Sequence, residues 1–149
     1  MARQYLPTLS DLIDRLSIVQ LKAIFIPENK DAYEEEIQLI MHDIDEVLKE
    51  NEYIKNDPGY FVARGVNAQM IRAILLIMLS NRYIWENESR ARLGGSEQDK
   101  LLKLTHSING IRNTAKNVIA KEMGERVDLK IDCLASDLVK EFGNWNIKW

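Results

Sequence analysis

Apolar residues recur every three or four positions through most of the chain, the spacing that places them on one face of an α-helix. The first such stretch follows Pro7-Thr8-Leu9-Ser10, where Thr8 or Ser10 can cap a helix and Asp11 complements its dipole; it runs to Ile26 and is stopped by Pro27. Leu12, Ile13, Leu16, Val19 and Ala23 form one side of it, and Asp11, Asp14, Arg15 and Lys22 the other. A second helix is predicted from Asp31 to Glu50, with Ile37, Ile40, Met41, Ile44, Val47 and Leu48 at helical spacing opposite an acidic face. Asn56-Asp57-Pro58-Gly59 reads as a turn, since Pro presets φ and Gly accepts a positive one. The third and longest periodic stretch runs from Val66 to Arg92 and ends at Gly94-Gly95. A fourth, Leu101 to Met123, follows a capping sequence that starts at Ser96 and is closed by Gly124. Beyond it, Val127 to Ile131 alternates as a short strand does, but one strand alone has no partner, and Ala135 to Phe142 returns to helical spacing. Short connections between long amphipathic helices imply antiparallel neighbours. The expected architecture is therefore all-α: an antiparallel bundle of four main helices plus a short C-terminal helix, in a single domain over residues 1–149.

Composition narrows the function classes. Apolar residues at 46% and charged residues at 29% suit a folded domain of this length, which can bury a core without disulfides or metal staples. The net charge of −3, with no Lys/Arg cluster, argues against nucleic acid as a partner. Cys133 is the one cysteine and so has no internal disulfide partner; it reads as a small packed residue. The first residues lack the apolar core of a signal peptide, and the most apolar run, Ile71 to Leu79, contains Arg72 and is far shorter than the roughly 20 residues that span a bilayer. A cytoplasmic protein with no membrane partner is expected.

The chemistry concentrates in three polar stripes. On the third helix Ile74, Met78, Asn81, Trp85, Glu88 and Arg92 fall within about 60° of one another, apolar at first and then polar. Such a face either leaves the core at the end of the bundle or lines a polar cavity inside it. On the fourth helix Thr105, Asn109, Arg112 and Lys116 flank the apolar face of Leu101, Leu104, Ile108, Ala115 and Ile119. The first helix contributes Asp11, Asp14, Arg15 and Lys22. Carboxylates three apart can hold a divalent cation, but the pattern is too common to assign a metal site or any cofactor here. His42 and His106 lie on different helices without a carboxylate pattern to make them ligands. Glu34-Glu35-Glu36 reads as a solvated helix face.

Asp11-Leu-Ile-Asp14-Arg15-Leu-Ser17-Ile18, with Lys22, is similar to the opening signature of a family of helical proteins from bacteria and tailed phages that has no settled activity. Asn81-x3-Trp85-x2-Glu88-x3-Arg92 resembles that family's second signature, and Asn109-x2-Arg112-x3-Lys116 its third. The chain departs from the pattern where Ser89 follows Glu88 and Gly110 follows Asn109, positions at which acidic residues are expected. The resemblance implies that these polar residues are the signature positions, and its bacterial members' genomic setting hints at phosphorylated sugars.

Two readings follow. In the first, Asn81, Glu88, Arg92, Asn109, Arg112 and Lys116 line a net-positive cleft that binds an anionic small molecule such as a phosphorylated sugar or nucleotide. In the second, the same residues form a buried polar network in a non-enzymatic oligomeric interaction protein. A magnesium-dependent all-α nucleotide pyrophosphatase is a third comparison, but Glu86 and Glu88, two apart, point away from each other rather than completing a carboxylate pair. No nucleophile and base are identifiable, so no reaction is predicted. A homo-oligomer is expected, because Ile18, Leu21 and Phe25 lie on the charged side of the first helix, where a lone bundle leaves them wet. The aromatic-rich segment from Phe142 to Trp149 is expected to dock on the bundle or on a second subunit.

Overall fold

A reciprocal cap sets where the first helix begins. Thr8 Oγ1 accepts from the Asp11 backbone N–H at 3.2 Å, and the Asp11 carboxylate accepts from the Thr8 N–H at 3.0 Å, so Thr8 rather than Ser10 is the N-cap of α1, Leu9–Phe25. Pro27–Asn29 make one 3-10 turn, and α2 follows at Lys30–Lys55, longer at both ends than the sequence pattern indicates. Asn67 caps α3, Ala68–Arg92, by accepting from the Met70 N–H at 2.9 Å. Gly94 and Gly95, at φ 74° and 114°, turn the chain into α4, Gln98–Met123. Gly124 ends α4 in the left-handed conformation. The computed structural model describes residues 5–55 and 66–128, with side chains for 5–50 and 66–128. All regular structure among these residues is helical, and no helix among them is long and apolar enough to cross a membrane. The Asn56–Gly59 turn, Cys133, the expected C-terminal helix and the aromatic segment lie outside the described residues.

The start of α3 packs beside the end of α4. Met70, Ala73, Leu76 and Ile77 share a cluster with Ala115, Val118, Ile119 and Met123, and further along Ile84 meets Leu104, Ile108 and Ile111. Met70, Ala73, Ile77, Ser80, Ile84, Asn87 and Ala91 are spaced alternately by three and four, the 3.5-residue period of a coiled-coil seam. Small residues in that seam let the two backbones approach. Against the α3–α4 pair lies α1, which also packs on α2 through Leu12, Val19 and Ala23 against Ile37 and Ile40. Ile44, Val47 and Leu48 of α2 reach round to the first cluster.

Because α1 touches all three other helices, its charged side is largely interior. Leu21 is only 3% exposed and Ile18 is half-buried, so the wet apolar patch expected on α1 reduces to Phe25. Phe25 itself stacks on Trp85 at 6.1 Å between centroids and lies under the Arg82 guanidinium. The oligomer argument drawn from this side of α1 therefore fails: it treated α1 as covered on one face, whereas α2 and the α3–α4 pair cover it on two.

Candidate functional site

Where α1, α3 and α4 meet, residues of the three polar stripes bond to one another. Asp14 and Asn81 are buried, at 9% and 4% exposure. Asn81 Nδ2 donates to Asp14 Oδ1 at 2.8 Å and to Ser17 Oγ at 2.6 Å, and Ser17 Oγ donates to the Asp14 carbonyl one turn back in α1. The other end of the amide accepts from Arg112 Nη1 at 3.0 Å. Asn81 therefore carries both polarities, its donors toward a carboxylate and its acceptor toward a guanidinium. Arg112 Nε lies 4.0 Å from Asp14 Oδ1, buried and without a hydrogen-bond partner among the described residues. Lys116, one turn further along α4, reaches Asp14 Oδ2 at 3.4 Å and Asp11 Oδ1 at 3.0 Å.

Asp11 links this interior network to the surface. Its Oδ2 accepts from Thr8 and lies 3.4 Å from Arg126 Nη2. Arg126 also donates to the Leu6 carbonyl at 2.6 Å and sits over the Tyr5 ring, 3.9 Å from its centroid. Glu125 places both carboxylate oxygens on the Leu9 N–H, at 2.9 and 3.1 Å, one of the donors that the first turn of a helix leaves open. Asn117 exchanges two hydrogen bonds with the Asp128 backbone. Residues 124–128 thus form a strap from the end of α4 across the start of α1. Beside it opens a cleft of about 500 Å³, lined among others by Tyr5, Ser10, Asp11, Asn113, Lys116 and Arg126.

The two carboxylates at the cleft shift in opposite directions. Burial would raise Asp11, but the Thr8 backbone N–H, Lys116 and the Thr8 hydroxyl outweigh it, leaving the group below its ordinary 3.8. Burial dominates at Glu125 and raises it above 4.5, aided by the Asp11 charge and opposed by the Leu9 N–H and Arg126. A raised folded-state pKa contributes stability that is complete below the unfolded value and lost as pH rises through the folded one; a depressed pKa contributes stability that is lost as pH falls through the folded one. Thermal melts on acidification from neutrality are thus expected to show a small gain as Glu125 takes up its proton above pH 4.5, then a loss below 3.8 as Asp11 does. Glu125→Gln should remove the gain and Asp11→Asn reduce the loss. Unchanged pH profiles in both variants would contradict these assignments.

The remaining candidate residues are not drawn into the network. Arg15 pairs with Glu36 on the surface, and Lys22 lies 5.8 Å from the Tyr33 ring centroid. Asn109 is half-buried one turn before Arg112. Trp85 is held by Phe25, the last residue of α1, so the next turns of α3 run past the end of α1. Glu88 and Arg92 are consequently exposed, 3.7 Å apart, with the Arg92 side chain 81% accessible. The polar stripe of α3 leaves the core at Trp85, and among the described residues Glu88 and Arg92 line no cleft with the cations of α4. Glu34 pairs with Lys30 and Glu36 with Arg15, and among the described residues no group of three or more His, Cys, Asp or Glu is placed to hold a metal. Sequence reasoning passed over Ser17, although it stands inside the first signature run, and missed Arg126 and Glu125 because the strap has no periodicity to place them. No family model, curated protein or solved structure matches the chain.

Proposed function

We propose that the chain binds a small molecule with an anionic group, of the phosphorylated sugar or nucleotide class, in the cleft beside Lys116 and Arg126. The observation that carries the reading is that these two cations share one carboxylate, Asp11, at the cleft wall. An ammonium has three donors and a guanidinium five, so both retain capacity for a phosphate oxygen after meeting Asp11. Arg112 stands behind them, and the three cations meet Asp11 and Asp14 with Asp128 at the cleft rim, while the Glu125 charge is turned onto the start of α1. Residues from each of the three signature runs meet here, which supports treating the runs as parts of one site. The α1–α2 and α3–α4 pairings support an antiparallel four-helix bundle as its frame. Binding rather than catalysis is proposed, since the hydroxyl that faces a carboxylate in the cleft wall, Thr8 on Asp11 at 2.8 Å, is committed to capping α1.

Thermal shift with a sugar phosphate, a nucleoside monophosphate and inorganic phosphate tests the reading. A bound probe at 100 times its dissociation constant adds about 2.7 kcal/mol of stability. Arg126→Met and Lys116→Met should abolish the shift. If none of the probes raises the melting temperature, or if the rise survives both substitutions, the reading is wrong.

A second reading, a purely structural network, is favoured by the closed set of bonds among Asp14, Ser17 and Asn81. Arg112→Met separates the two. In the ligand reading its removal also weakens the probe-induced shift, because Arg112 backs Lys116 at the Asp14 carboxylate; in the purely structural one, stability falls as Asp14 and the Asn81 carbonyl are left undercompensated, with no probe-induced shift to weaken. Arg92→Met discriminates nothing, because Arg92 is exposed.

A further inference from the structure

We propose that the cleft selects a phosphate monoester of a polyhydroxylated carbon skeleton, with Asn113 and Ser10 reading a hydroxyl beside the phosphate. This rests on Lys116 and Arg126 holding the anion, as proposed above, and concerns the rest of the cleft wall. Asn113, Lys116 and Asn117 share one face of α4, three and four residues apart, and all three line the cleft. Asn117 is engaged in both directions by the Asp128 backbone, its amide donating to the carbonyl at 2.7 Å and its oxygen accepting from the N–H at 2.8 Å. Asn113 is half-buried, and its amide has no hydrogen-bond partner among the described residues.

The Thr8 hydroxyl has one proton, which goes to Asp11 Oδ2 at 2.8 Å. In its 3.0 Å contact with Thr8, Ser10 Oγ is therefore the donor, and only lone pairs remain on it. Ser10, 4% exposed in the cleft wall, thus offers an acceptor, whereas the Asn113 amide offers both donors and an acceptor. A phosphate dianion has no proton to give Ser10. A hydroxyl gives one and accepts in return, so it matches both side chains. A nucleotide base calls instead for an aromatic or apolar face on which to stack. The aromatic side chain at the cleft, Tyr5, already has the Arg126 guanidinium over its ring, 3.9 Å from the centroid, and among the described residues Val127 is the one aliphatic residue in the wall.

Calorimetric titration of the full chain with racemic α-glycerol phosphate and with n-propyl phosphate compares one three-carbon ester with and without its hydroxyls. The glycerol ester is expected to bind about tenfold or more tightly, because the analogue leaves the site's polar groups unpaired. Asn113→Ala should bring the two esters close to parity while leaving inorganic phosphate binding where it was, and Ser10→Ala should narrow the difference in the same sense. Adenosine monophosphate should bind no more tightly than ribose phosphate. Equal affinity of the two esters, with inorganic phosphate still bound, overturns the hydroxyl reading and leaves the anion site standing. A difference that survives both substitutions overturns the assignment to Asn113 and Ser10, and tighter binding of adenosine monophosphate overturns the choice of a polyol ester over a nucleotide. If neither ester nor inorganic phosphate binds, the anion site itself falls and the proposal with it.

Discussion

Asp14→Ala is expected to lower the unfolding free energy by about 3–5 kcal/mol, the cost of breaking a buried charged pair by removing one partner. The Asp14 side chain is 13% exposed and its two oxygens meet Asn81 and Lys116, with the Arg112 guanidinium at 4.0 Å. Alanine leaves the Asn81 amide without its carboxylate acceptor and leaves Arg112 and Lys116, both only 23% exposed, facing each other with Asp11 alone to balance them. Asp14→Asn keeps the shape and an acceptor for Asn81 but not the charge, so its loss should be smaller. The measurement is a urea melt at matched pH and salt, with the midpoint falling and the slope unchanged. A loss under about 1 kcal/mol, the scale of exposed pairs, would mean that the cluster is solvated and that its bonds do not hold the three helices together.

Ile119→Ala comes next in size, at about 2–5 kcal/mol. Ile119 is fully buried in α4, within the cluster that joins Leu9 of α1 to Met70 and Ile77 of α3. Truncation removes buried methyl groups and leaves a cavity that rigid neighbours on three helices cannot readily fill. Ile119→Val, which deletes one carbon, should cost about 0.5–1.5 kcal/mol. Leu102→Ala on the same helix, where Leu102 is 43% exposed, is expected to stay within roughly 0.5 kcal/mol of wild type. Equal losses at 102 and 119 in urea melts would overturn the assignment of α4's inner face. Together with Asp14→Ala the series separates the apolar and polar contributions at one junction.

The helices were legible because their signals are local: a proline after Ile26, glycines at 94, 95 and 124, and apolar periodicity between them. Thr8 and Ser10 could not be told apart from sequence, since both precede the first apolar residues; the choice fell to Thr8 because Asp11 stands three residues later and returns the bond. For the site, Asp11, Asp14, Asn81, Arg112 and Lys116, polar positions that the sequence singles out on otherwise apolar helices, contact one another in the structure. Glu88 and Arg92 continue the same stripe in sequence but not in space, because whether a stripe stays buried depends on how far the neighbouring helix extends. Leu21 shows the converse: it lies among charges along α1, yet a second packed surface covers it. Arg126 and Glu125 sit in irregular backbone, where no period indicates which way a side chain faces.

The polar junction also spans unusual distances along the chain: Asp14 meets Asn81 across 67 residues and Lys116 across 102, and Leu9 meets Glu125 across 116. During translation, at about 5–20 residues per second, α1 therefore leaves the ribosome roughly 5–20 seconds before the lysine that will neutralise its interior carboxylate has been made. Over that interval the α1–α2 hairpin, whose contacts are local, can form only with Asp14 in water. The acid that later anchors three helices has Asn81 and Lys116 to bond only after most of the chain has been made.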